Sequence, residues 1–318
     1  MTRHEVTGHA LRARVSRPRT PNLRKSVPRA RNTLRRACSI GIVVPCLALP
    51  VGTSSSALLT DSATGSQVTV TTWSGCAVNR YRDSVLATGP ESYLRMATPT
   101  TTETNTGVAG GVWTWTSSPN VVSGALGCDS NQAAAVTGST WLSSEHLTFI
   151  AADSAAFSYS FWFKASPGSQ GVLFSSTAGT LVSGASARGD RAVWLTPTGL
   201  LGVVMSDGPS TRWITSATAV TDDQWHFVVV TLQVTDIGAG RGTRLYLDGS
   251  QVAFGSQMRK GLVPATTESW RLGPATLSAD LGALRPASVF AGAVDEVAVW
   301  AQTLSAAQVS SMWAARNG

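Results

Sequence analysis

From residue 93 onward the apolar positions fall in short runs separated by turn residues. Residues 159–165, 171–175, 192–195, 200–205 and 225–232 are rich in β-branched and aromatic side chains and read as strands. Shorter candidates lie at 93–96, 134–136 and 212–214. Pro167-Gly168 and Asp207-Gly208-Pro209 punctuate the series. Residues 244–252 read as a hairpin, because Asp248-Gly249 supplies the positive φ that a type I′ turn needs. Residues 290–300 form a last strand. Ser305 with Gln308 then makes a capping box that opens a short helix through Trp313. At the front, residues 81–87 read as a short helix closed by Gly89-Pro90, and Val68 to Val70 as a brief alternating strand. Many short strands with regular punctuation and no internal repeat predict an all-β fold. The form expected is a two-sheet antiparallel β-sandwich with a short C-terminal helix.

The formal charge of +7 over 318 residues suggests a nucleic-acid binder until the charge is located. Residues 1–36 hold eleven Lys and Arg against one acid, Glu5, a net +10. The remaining fourteen basic and seventeen acidic residues give the body −3. A body without a basic stripe lacks the footprint of a phosphate-binding surface, so no nucleic-acid partner is expected.

Residues 37–52 are apolar but interrupted by Pro45 and Pro50, and shorter than the roughly 20 residues of a membrane span. Small residues follow, Ser54 to Ala57. Basic region, apolar core and small-residue exit read as a secretory signal, with a basic arm and tail anchor as the alternative. The mature protein is then expected outside the cell and not integral to a membrane. Cys38 and Cys46 would leave with the signal. Cys76 and Cys128 remain, an even number in an oxidising compartment, which reads as one disulfide or as two buried thiols. If formed, the bridge would stabilise the fold by roughly 2–5 kcal/mol. The expected organisation is signal over 1–57, polar Ser/Thr-rich arm over 58–79 and one domain over 80–318.

The order of the last three elements, the run at 225–232, the Asp248-Gly249 hairpin and the closing strand with Asp295-Glu296-Val297, resembles the laminin-G-like, concanavalin-A-like jelly roll of bacterial secreted proteins. Tyr81, Val85-Leu86, Gly89-Pro90 and Tyr93 to Met96 are similar to the front of such modules, with Leu94 where Trp is more usual. Separately, residues 57–65 resemble the exit sequence of Gram-positive surface and matrix-fibre proteins matured by an endoplasmic-reticulum-type (SipW-type) signal peptidase. Leu59 replaces the usual aromatic there.

The same fold family contains laminarinase-type glycoside hydrolases, which carry acids at alternating positions of one strand. Here Asp295 and Glu296 are adjacent, and strict alternation would send them to opposite faces. No nucleophile and acid about 5–6 Å apart can then be built, so no enzyme is expected. The resemblance also implies a calcium site near Asp295, with Glu103 and Asn105 as further ligands. Calcium wants six to eight oxygens, and the family's acidic loop is degraded at 100–107. The alternative is that Asp295 caps a neighbouring loop through backbone hydrogen bonds. His226 after Trp225 matches a structural signature of the family. Among eleven Trp, Trp162, Trp225 and Trp300 fall at family core positions, while Trp141, Trp213 and Trp270 lie beside turns and polar residues. Exposed indoles anchor partners, so Trp213 with Arg212 and Asp207 is the expected ligand-binding cluster. The function expected is recognition of a glycan or an extracellular protein. A structural or adhesive role in a surface assembly is the alternative, and a divergent glycoside hydrolase comes last.

Overall fold

The computed structural model describes residues 78–96, 100–128, 132–144, 156–178, 190–207, 210–233, 241–256, 258 and 268–317. All lie in Ser55–Gly318, the second of two units into which the chain divides. The signal, most of the arm, the strand expected at 68–70 and Cys76 fall outside the described residues.

Helix α1 (Arg80–Leu86) comes first. Strands β1 (Ser92–Leu94), β2 (Thr102–Thr104), β3 (Val112–Trp115), β4 (Asn120–Ser123), β5 (Gln132–Val136) and β6 (Leu142–Ser144) follow. Next are β7 (Phe157–Lys164), β8 (Gly171–Ala178), β9 (Asp190–Leu195), β10 (Leu200–Asp207) and β11 (Ser210–Ala219). The chain continues with β12 (Trp225–Gln233), β13 (Gly242–Leu247), β14 (Ser250–Gly255) and β15 (Glu268–Leu272). A 3-10 segment (Ala279–Leu284), β16 (Gly292–Trp300) and helix α2 (Ala306–Ala314) close it. One antiparallel sheet runs β14-β13-β12-β7-β16-β5-β4, with β1 also on β16; the second runs β11-β10-β9-β8-β15-β6-β3-β2.

Strand β7 explains the layering. Phe157, Tyr159, Phe161 and Phe163 alternate into the core between the sheets. Trp162, between them, faces outward with Phe227, Ala298 and Trp300 into a second cluster beneath α1 and α2. Helices therefore cover part of the outer face of the first sheet. That cover is why β7 is buried at nearly every position instead of alternating with solvent. A third cluster, Trp194 and Val204 with Leu277 and Leu281, seats the 3-10 segment on the outer face of the second sheet. The capping box of α2 forms as the sequence predicts: Gln308 N–H donates to Ser305 Oγ, and Ser305 N–H to Gln308 Oε1.

At the β13–β14 turn, Asp248 (φ 51°) and Gly249 (φ 79°) both take the left-handed conformation expected of a type I′ turn. A Cβ on Gly249 would sit 2.7 Å from the Trp313 ring, so the turn must also be bare for α2 to dock. Gly249→Ala is expected to lower the unfolding free energy by about 1–3 kcal/mol, from strain plus overpacking. Denaturant unfolding reads this, and an unchanged midpoint would contradict the packing.

Strand β16 departs from strict alternation. Its register against β7 slips between Asp295 and Ala298, and Glu296 has φ 51°. This is a β-bulge, which inserts one residue and turns both neighbours toward one side. Asp295 and Glu296 thus lie together on the outer face under α1, both acting on the Tyr81 phenol, and not on opposite faces as adjacency implied. Burial first, and then the Glu296 charge, raises the Tyr81 pKa. Tyr93 donates its hydroxyl to Glu296 Oε2, and Arg95 Nε lies 3.5 Å from the other oxygen.

Candidate binding groove

Backbone register sets one row of side chains across the outer face of the first sheet. Ala135 of β5 pairs with Ala293 of β16, Ala293 with Lys164 of β7, and Lys164 with Trp225 of β12. The row is outward because Lys164 and Trp225 stand two residues from Trp162 and Phe227, which are outward. Two alanines beside a lysine and a tryptophan make a low floor with a tall wall. Val122 and Ser123 of edge strand β4 line the other side. The result is an open groove of about 510 Å³.

Two residues farther along each chain path, toward the end of the sheet, come Thr137, Ala291, Ser166 and Asp223, which also line the groove. Ser166 Oγ donates to Asp223 Oδ1 at 2.6 Å. Asp223 holds a left-handed φ of 62°, and its N–H donates to the Ala165 carbonyl at 3.0 Å. The groove thus offers one half-buried indole, one ammonium, a carboxylate and hydroxyls around an apolar floor.

His226 clamps this wall from the opposite face of β12. Its Nδ1 lies 2.8 Å from Asp248 Oδ2 and its Nε2 3.2 Å from Asp222 Oδ1. The other oxygen of Asp248 accepts the Phe227 N–H. Burial alone would lower the His226 pKa; Asp248, then Asp222, outweigh it and raise it above 6.5. A cation gaining partners on folding contributes stability that is complete below the unfolded pKa. That stability is lost as pH rises through the folded one. The thermal midpoint is therefore expected to fall as pH rises above about 6.5, and His226→Gln to remove that part of the slope. An identical slope in the variant would contradict the clamp.

The residues expected to bind ligand do not converge. Trp213 is 39% exposed, the surface indole that was expected. It pairs with Val204, whose side chain faces outward toward the 3-10 segment, whereas Arg212 pairs with Met205, which faces the core. The two side chains thus leave opposite faces of β11. Asp207 enters through its backbone pairing with Ser210.

The calcium candidates are also separated. Asp295 Oδ2 accepts the Ala125 N–H and Oδ1 the Glu296 N–H, both at 2.9 Å, a loop-capping arrangement on the outer face. Asn105 Oδ1 accepts the N–H groups of Tyr93 and Gly107, and Nδ2 donates to the carbonyls of Glu91 and Gly110. Glu103 accepts from Trp115 Nε1 at 3.2 Å, and burial pushes its pKa up to about 7 despite that donor. Glu103 pairs with Trp113, which faces the core between the sheets, whereas Asp295 faces outward from the first sheet. As placed, these residues do not fit a calcium ion, and among the described residues no three His, Cys, Asp or Glu side chains gather for a metal.

The groove's own residues escaped the sequence reading. Trp225 stood as a core position, and Lys164 and Asp223 carried no motif. The available signal was the alignment of Ala135 and Ala293, which requires knowing which strands are neighbours. Trp141 and Trp270 are buried, Trp270 completely and Trp141 under the Arg271 guanidinium 4.1 Å from its ring.

No helix among the described residues is long and apolar enough to cross a membrane. No curated protein matches the chain. Among solved structures it is similar to the binding domain of Paraclostridial Mosquitocidal Protein 1, at 10% identity and TM-score 0.50, over 72% of this chain and 52% of that one. It is similar, at 11% identity and TM-score 0.50, to a botulinum neurotoxin type C structure described for its interaction with two ganglioside molecules. That match covers 73% of this chain and 53% of the other. The botulinum neurotoxin DC binding domain in complex with rat synaptotagmin II matches at 11% identity and TM-score 0.50, over 72% and 52%. The chain spans about half the length of these structures, and the likeness is one of fold. The model of the concanavalin A-like lectin/glucanases superfamily matches residues 136–310, more than half the chain, and the chain belongs to that family.

Proposed function

We propose that this protein is a secreted, non-enzymatic recognition module that binds carbohydrate in the outer groove. The observation that carries the reading is the Trp225 indole standing beside Lys164 over a floor of Ala135 and Ala293. Sugars present an apolar C–H face and a rim of hydroxyls. A groove with an aromatic wall, an apolar floor and a few fixed polar groups complements both. The structurally similar neurotoxin structures are described with two ganglioside molecules and with synaptotagmin II. Against catalysis stand Asp295 and Glu296, fully buried and bonded within the fold. Secretion rests on the basic, apolar and small-residue order of the first 57 residues. A Cys76–Cys128 bridge would fit that compartment.

A glycan array probed with the full chain, with calcium and again with a chelator, tests this. Saturable binding to one sugar class is expected in both conditions, because Asp295, Glu103 and Asn105 do not converge. Absence of binding in both would overturn the carbohydrate reading.

A second reading, a subunit of a surface assembly, has one observation in its favour. Strand β4 ends its sheet, and all four of its residues are exposed, including Val121 and Val122. A free strand edge can pair with another chain. Concentration-dependent mass in sedimentation would favour this reading, and a constant monomer would exclude it.

A further inference from the structure

We infer that the groove takes an acidic saccharide, one carrying a carboxylate, with Lys164 as the residue that selects it. This rests on the groove being a carbohydrate site. Lys164 is half-buried, between Ala293 and Trp225 in the outward row. Ion pairs among the described residues join Arg82 to Asp83, Arg95 to Glu296, and His226 to Asp222 and Asp248, and Lys164 enters none of them. Asp223 lines the same groove and accepts the Ser166 hydroxyl, and no ion pair joins it to Lys164. Asp295, two residues beyond Ala293, is capped by the Ala125 and Glu296 N–H groups. A half-buried cation beside an apolar floor that enters no ion pair among the described residues can take an anion brought by the ligand.

Ser166 and Asp223, just past the ends of β7 and β12, give the same groove a polar rim beyond Lys164 and Trp225. A ring resting on the Trp225 indole would set its carboxylate at the Lys164 ammonium. Its hydroxyls on the opposite rim would donate to the Asp223 carboxylate. The presence of Asp223 argues against a ligand charged all round, such as a polyphosphate, because it would repel a second anionic group. The class selected is therefore a saccharide with one carboxylate per ring and free hydroxyls elsewhere, such as a uronic or sialic acid.

The test uses the full chain and matched pairs: oligogalacturonate, hyaluronan tetrasaccharide and sialyllactose, each against its own methyl ester, titrated by calorimetry. At least one acid is expected to bind tenfold or more tightly than its ester. Lys164→Met should erase that ratio while leaving ester binding in place, and Lys164→Arg should keep most of it. Equal affinity for acid and ester would overturn the acidic-ligand inference and leave a neutral-sugar site standing. A preference that survives in Lys164→Met would also overturn it, since the selecting charge would lie elsewhere. Failure of every acid and ester, together with an empty array of neutral sugars, would remove the carbohydrate reading itself.

Discussion

Trp270→Ala is expected to lower the unfolding free energy by about 3–5 kcal/mol, whereas Trp213→Ala should change it by less than about 0.5 kcal/mol. Both residues are strand tryptophans beside an arginine, Arg212 for one and Arg271 for the other. The structure separates them. Trp270 has no exposed surface; its ring stacks on Phe174 at 5.1 Å and tilts against Tyr159 at 5.6 Å. Phe157 meets its edge at 6.4 Å. These contacts join the two sheets, because Phe157 and Tyr159 belong to β7 and Trp270 to β15. Removing the indole leaves a cavity at the sheet-to-sheet contact that close-packed aromatic neighbours refill only in part. Trp213 sits on edge strand β11 with much of its ring in solvent, so its loss opens no cavity. Urea unfolding with a shared slope measures both. Similar losses for the two would contradict the placement of β15 at the centre of the second sheet.

Trp225→Ala is expected to weaken binding of the array's best glycan at least thirtyfold, roughly 2 kcal/mol, the scale of an aromatic anchor in a recognition site. Trp225→Phe should retain part of the affinity, because a ring remains for the sugar face. Trp225 also packs partly against the cluster under α2, so an unaltered far-ultraviolet dichroism spectrum must accompany each variant. Trp213→Ala serves as the contrast and should bind like the parent. Loss of binding in Trp213→Ala with none in Trp225→Ala would move the site to β11, where the sequence reading placed it.

The fold was legible because its strongest signals are local. Asp248-Gly249 forces its turn, Ser305 and Gln308 cap their own helix, and the aromatic run of β7 has no stable solution except burial on both faces. Strand β15 is less legible: only Trp270 and Leu272 are apolar there, too short an alternation to distinguish from a loop. The bulge at Glu296 was hidden for another reason. Its effect is to break the period of two on which face assignments rest, and Asp-Glu in a valine-rich strand carries no mark of a positive φ.

The groove was illegible because it is a property of neighbours across strands. Ala135, Lys164, Trp225 and Ala293 are scattered over nearly half the chain and meet only through register. Conversely, Arg212 and Trp213 are adjacent in sequence and parted by the pleat. Asp295, Glu103 and Asn105 are the residue types a metal favours, yet their oxygens satisfy backbone N–H groups and an indole. Composition can suggest which side chains bind; only the pairing of strands decides which of them share a face.

The most direct test of the account is a crystal structure of the chain with the tightest-binding glycan from the array. Expected is a sugar ring lying on Trp225, with polar contacts to Lys164 and Asp223 and no ordered ligand at Trp213. A sugar seated on β11, or elsewhere on the molecule with Trp225 untouched, would contradict it.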